Sequence, residues 1–138
     1  MPGIHFFNEG TAFRLPHPRK TSSWIKKVVL LESSEIGELN YIFCSDRHLL
    51  SINQQYLNHD TYTDIITFGL GDATTVTGEV YISIPRVREN ARTHKVAFHD
   101  ELDRVIIHGV LHLLGHSDKS PRKKASMRKK EDACLSLR

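Results

Sequence analysis

Hydrophobic and polar residues alternate along ELNYIFCS (38–45), with Leu39, Tyr41 and Phe43 on one side and Asn40, Ile42 and Cys44 on the other. A period of two predicts a β-strand. TDIITFG (63–69) and GEVYISI (78–84) are two further β-rich runs, and the glycine- and threonine-rich GLGDATTVTG (69–78) between them suits a hairpin or loop. IHFFNE (4–9) and FRL (13–15) predict short strands or extended segments, after which Pro16 and Pro18 break the chain. TSSWIKKVVLLESSE (21–35) predicts an amphipathic helix with Thr21 or Ser22 as N-cap, Trp24, Val28 and Leu31 on one face, and Gly37 as its end. SDRHLLSINQQYL (45–57) has a cap residue followed by Leu49, Ile52 and Tyr56 at helical spacing. Pro85 suits a first helical turn, placing Arg88, Arg92 and Lys95 on one helix face. Leu102, Val105, Ile106, Val110 and Leu113 give a wide apolar surface to a core helix from about Asp100 to Leu114, stopped by Gly115. Helices mixed with about four strands make an α+β, or mixed α/β, domain with a small mixed sheet.

That core helix carries HGVLHLLGHSD (108–118), three histidines and an aspartate in an otherwise apolar stretch. His108 and His112 are four residues apart, so their rings stand one turn above each other and can converge on one point, as a metal requires of two neutral imidazoles. The turn at Gly115 brings Asp118 or His116 back towards that point. One histidine on an apolar face is most simply a core residue bonded to a backbone carbonyl. Two on one stripe, a glycine at the turn and a carboxylate three residues later form H-x-x-x-H-x-x-G-x-x-D, which favours His108, His112 and Asp118 as ligands. His116 would share the turn with the ligand stripe and is expected exposed or just outside the ligand set. Three protein ligands and an open position describe a catalytic zinc site, in which these residues act on substrate through a water on the metal. His5, His17, His48, His59, His94 and His99 show no ligand spacing. A peptidase of the H-E-x-x-H kind needs a glutamate where this chain has Gly109, and a glycine inside a helix signals a close neighbour.

Composition narrows the setting. At 138 residues with 39% hydrophobic content, the chain fits one domain spanning 1–138. Cys44 and Cys134 match no metal or redox spacing and predict free thiols in a reducing compartment, which favours the cytoplasm. The longest aliphatic run, Val28-Val29-Leu30-Leu31, is far short of the roughly 20 residues of a membrane span, and no apolar leader is evident. The net charge is only +3, yet Lys119, Arg122, Lys123, Lys124, Arg128, Lys129 and Lys130 crowd a basic C-terminal segment (119–138) directly after the histidines. A polyanionic partner or a plain solvated helix face both account for it.

HGVLHLLG, together with NQQYLNHDTYTDIITF and GEVYIS upstream, resembles the YbeY family of bacterial endoribonucleases over roughly residues 50 to 130. The resemblance implies a single-domain metallohydrolase fold, with one zinc ion at His108, His112 and a third ligand. It also implies single-strand-specific cleavage in 16S ribosomal RNA 3′ end maturation and ribosome quality control, with ribosomal RNA precursor and ribosomal subunits as partners. Two positions depart from the family pattern: Asp118 stands where most members have a third histidine, and Leu57 where many carry an arginine thought to assist cleavage. Arg86, Arg88 or Arg92 could supply a substitute cation. A carboxylate ligand is sound for zinc, but its charge makes the metal a weaker Lewis acid and lifts the pKa of its water. Tyr56, Asp64, Thr67 and Phe68 match the family's central motif, with Tyr56 and Phe68 expected in the core, Thr67 in a strand and Asp64 at a turn or cap. Glu79 could orient a ligand histidine. Two other readings are a metallopeptidase-like hydrolase and a non-catalytic, RNA-binding ribosome-assembly factor with a structural metal.

Overall fold

Leu39, Tyr41 and Phe43 are fully buried, and the strand that carries them, β2 (Glu35–Cys44), lies inside a four-stranded sheet. The structure, a computed structural model, describes residues 3–59, 61–72 and 74–138; Asp60 of the family-like motif and Ala73 of the expected connection lie outside the described residues. The sheet runs β1 (Gly3–Glu9), β2, β4 (Thr75–Ser83), β3 (Ile65–Gly69), with β1, β2 and β4 parallel and β3 antiparallel to β4. Five helices complete the fold: α1 (Pro18–Leu31), α2 (Asp46–Leu57), α3 (Ile84–His94), α4 (Phe98–Leu113) and α5 (Pro121–Leu135). This is the mixed α+β architecture expected from the sequence.

The two faces of the sheet are unequal. Tyr41 is in register with Val80, and Val80 with Thr67, so alternate residues of each strand share one face. On that face lies the main core, where α1 and α4 add Trp24, Ile25, Val28, Val29, Ile106 and Val110. The Tyr41 hydroxyl donates to the Ile106 carbonyl at 2.9 Å and ties α4 to the central strand. On the opposite face, α2 covers only a smaller cluster of Cys44, Leu49, Ile52 and Ile66.

Several boundaries differ from expectation. α1 begins at Pro18 rather than Thr21, because a proline in the first turn forfeits no helical hydrogen bond. Its buried stripe is Trp24, Ile25, Val28 and Val29; Leu31 lies about a quarter-turn off that stripe and is 65% exposed. The helix is closed by Ser33 in the left-handed region, not by Gly37. Gly37 sits within β2 at its register shift, where an added Cβ would lie 2.2 Å from the Thr77 hydroxyl oxygen. Residues 75–77, expected in the connection, begin β4, and 13–15 form no strand although Phe13 and Leu15 pack on the core. Lys95 caps α3 in the left-handed region and so leaves the face of Arg88 and Arg92. Tyr56 is 63% exposed on the outer side of α2, its ring edge-on to Phe68, and is not a core residue. The basic segment folds as α5, held by buried Met127, Glu131 and Cys134 and by the Trp24 indole donating to the Cys134 carbonyl at 2.8 Å.

Candidate metal centre

α4 reaches the sheet closely because residue 109 has no side chain: a Cβ there would lie 2.9 Å from Val80 Cγ1 and 3.1 Å from Ile65 Cδ1. The position between the two histidines therefore packs on the sheet and offers no carboxylate. His108 and His112 leave the last turns of α4 beside that contact, with ring centroids 4.5 Å apart and planes at 73°. After α4, Gly115 takes φ 99°, its N–H bonds to the His112 carbonyl and the His116 N–H to the Leu111 carbonyl, which closes the helix as a Schellman turn. The chain then doubles back into α5 through Ser120, whose hydroxyl accepts from the Lys123 N–H at 3.1 Å, and Asp118 lies in the reversal.

The reversal places Asp118 Oδ2 3.4 Å from His108 Nε2 and 3.6 Å from His112 Nε2, and the three ligand atoms all lie within 4.8 Å of one another. A tetrahedral ion bound at about 2.0–2.2 Å sets its ligand atoms about 3.3–3.6 Å apart, so this group could hold a metal ion. Asp118 keeps 35% of its side chain exposed, so the group is reached from solvent on that side. His116 is turned elsewhere, in a short hydrogen bond with Glu32 at the end of α1.

The sequence reading missed a partner. Glu131, buried on α5, meets His108 Nδ1 at 2.6 Å. A carboxylate there makes Nδ1 the donor and turns the lone pair of Nε2 towards His112 and Asp118. Arg104 in turn holds Glu131 at 3.1 Å and Asp132 at 3.2 Å. Glu79, expected in the orienting role, instead accepts from the Tyr81 hydroxyl at 3.3 Å, on the sheet face away from α4.

Charge around the group favours a cation. Burial works against an imidazolium at His108, but the Glu131 hydrogen bond and the charges of Glu131, Asp118 and Asp64 outweigh it and push the pKa up. At His112, burial and the neighbouring His108 hold the pKa down, so that ring stays a neutral donor. The Asp64 carbonyl accepts from the Ser83 N–H, as in a turn residue, but its carboxyl is half-buried, accepts from the Asn90 amide at 3.2 Å and is pushed up in pKa by desolvation, against the pull of His108. Of the three candidate cations, Arg86 acts on Asp64 but is paired with Asp46 at 2.8 Å and Glu89 at 3.2 Å. Arg88 stacks over Phe98, and Arg92 is exposed. Beside the ligand turn, a recess of about 230 Å³ runs between Gly115–Ser117 and α5, flanked by Lys123 and Lys130.

Comparison with known proteins matches residues 8–137 to the family model described as Endoribonuclease YbeY. A relative bearing that name from Flavobacterium psychrophilum is 50% identical over 131 residues, covering 95% of this chain and 94% of its own. One from Cytophaga hutchinsonii is 46% identical over 136 residues, covering 98% and 95%. The solution structure of TM1509 from Thermotoga maritima superposes with a TM-score of 0.72 at 30% identity, covering 97% of this chain and 87% of that one.

Proposed function

The chain belongs to the endoribonuclease YbeY family, and on that premise we propose that it is a zinc-dependent, single-strand-specific endoribonuclease acting on ribosomal RNA precursors. Its substrate in this reading is the 3′ end of 16S rRNA, its setting the cytoplasm, its wider role ribosome quality control, and its partners the ribosomal subunits. The whole chain acts as one domain. The observation that carries the reading is the convergence of His108, His112 and Asp118 at the C-terminal end of α4, directly before the basic helix α5.

When bound, a divalent ion supplies a Lewis acid for a phosphoryl oxygen and acidifies the water beside it. The protein's part is to hold that ion in place. His108 and His112 give neutral nitrogen donors, Asp118 gives a carboxylate oxygen, and Glu131 fixes the His108 ring from behind. Arg122, Lys123, Lys124, Arg128 and Lys129 are exposed along α5 and suit the phosphates of a bound strand, while Lys130 is drawn to Glu32 at 3.6 Å. Gly109 leaves a peptide-bond hydrolase without its general base. Asp118 in place of a neutral imidazole reduces the positive charge on the centre, which moves the alkaline-side activation of hydrolysis to higher pH than Asp118→His would give.

Turnover on single-stranded RNA, duplex RNA and casein, with and without added zinc, tests this reading. Zinc-dependent cuts confined to single-stranded RNA support it. Casein hydrolysis would establish a peptidase, and tight RNA binding with no cleavage of any substrate would establish an assembly factor. Neutralising Lys123, Lys124 and Lys129 should weaken RNA binding and flatten its dependence on salt without changing metal content.

A further inference from the structure

At the opposite end of α4, a trough of about 820 Å³ opens between the 13–17 segment, the first half of α1, the start of α4 and the last residues of the chain. Phe98 lies ten positions before His108, about 15 Å along the helix, so the trough is separate from the ligand group. Its floor is apolar, formed by Phe13, Leu15, Trp24, Phe98, Leu102 and Leu137. Its rim is basic. Asp103, the one acidic residue in the lining, is already neutralised by Arg138 at 2.8 Å. Lys20 and Lys27, both exposed, have no acidic partner among the described residues. α1 also begins with Arg19 and Lys20 and has no acid in its first turn, so its positive end is left without the counter-charge that helices ordinarily carry there.

We propose that this trough docks an acidic peptide segment of a partner protein, with a leucine or phenylalanine seated on the apolar floor and flanking carboxylates on Lys20 and Lys27. The volume suits a few side chains. The ring geometry favours a peptide over RNA: Phe13 packs edge-on against Phe43 and against Phe98, at 76° and 71°, so these rings are spent on one another rather than set out as stacking platforms for bases. The bed for carboxylates and the bed for phosphates thus lie on different parts of the surface, the trough and the exposed face of α5.

Trp24, the chain's one tryptophan, lines the trough floor and reports on occupancy. A short peptide alternating glutamate with leucine and phenylalanine, free of tryptophan and tyrosine, should change its fluorescence saturably. A lysine-substituted peptide of the same pattern should not. Lys20→Glu with Lys27→Glu should weaken binding of the acidic peptide at least about tenfold, as reversal of two contacting charges implies, and leave RNA cleavage unchanged. Three results would overturn the proposal: no saturable binding at millimolar peptide, equal binding of acidic and basic peptides, or stronger competition for Trp24 by an oligoribonucleotide than by the acidic peptide. Circular dichroism of the charge-reversed variant confirms that any loss is not unfolding.

Discussion

Glu131→Gln, followed by Glu131→Leu, isolates the contact on which the ligand geometry depends most. In the native protein the Glu131 carboxylate accepts from His108 Nδ1–H at 2.6 Å and takes the Arg104 guanidinium at 3.1 Å on its other oxygen. Glutamine keeps an acceptor but loses the charge, while leucine loses both. Removing a partner of this kind from a metal-bound histidine typically costs about 10–100-fold in metal affinity, so we expect about tenfold for glutamine and nearer a hundredfold for leucine. Factors of ten and a hundred are about 1.4 and 2.8 kcal/mol, close to the two ends of what one charge-assisted hydrogen bond contributes. Folding stability should fall less steeply, because Arg104 keeps Asp132 at 3.2 Å and is 21% exposed. Competition against a chromophoric chelator gives the affinities, and nitrogen NMR of the His108 ring gives the tautomer, Nδ1–H in the native protein and mixed in Glu131→Leu. Native affinity and an unchanged tautomer in Glu131→Leu would refute the role assigned to α5.

Asp118→Ala should lower metal affinity sharply while His116→Ala leaves it within about twofold, since His116 is bonded to Glu32 rather than to the ligand group; the same chelator competition decides, and the reverse order would move the third ligand to His116. Gly109→Ala should destabilise by about 1 kcal/mol despite the better helix propensity of alanine, because its Cβ would press on the stiff Val80 side chain at 2.9 Å, whereas a raised Tm would show that α4 has room. Glu32 is held below its ordinary value of 4.5 by the His116 hydrogen bond and by Lys130, so Glu32→Gln should lose about 0.5–1 kcal/mol near neutral pH. That difference should persist above pH 4.5 and vanish as pH falls through the lowered Glu32 value, a course that urea titrations at several pH values would follow.

What could be read from the sequence was what is local. His108 and His112 face one way because four residues make one turn, and Gly115 and Asp118 follow within a single reversal. β2 was visible because Leu39, Tyr41 and Phe43 alternate without interruption. Glu131 was invisible for the opposite reason: 23 residues separate it from His108, and it sits in a charge-dense segment whose buried positions are only Met127, Glu131 and Cys134. A helix with so thin an apolar stripe looks like a basic tail until α4 and Trp24 are placed against it. Helix ends differ from expectation where the closing residue is not glycine, as at Ser33 and Lys95, both in the left-handed region, whereas the end of α2 at Leu57 is as expected. Tyr56 fits helical spacing with Leu49 and Ile52, but α2 covers only part of its sheet face and leaves that ring outside.

The central claim is that RNA cleavage runs through the ion held by His108, His112 and Asp118. Protein stripped with a chelator and reloaded with measured increments of zinc, assayed at each step on single-stranded RNA, tests it most directly. The account predicts no cleavage in the stripped protein, a rise proportional to added zinc that levels off near one equivalent per chain, and no recovery in His108→Ala/His112→Ala. Full cleavage by the stripped protein, or by the double variant, would contradict it.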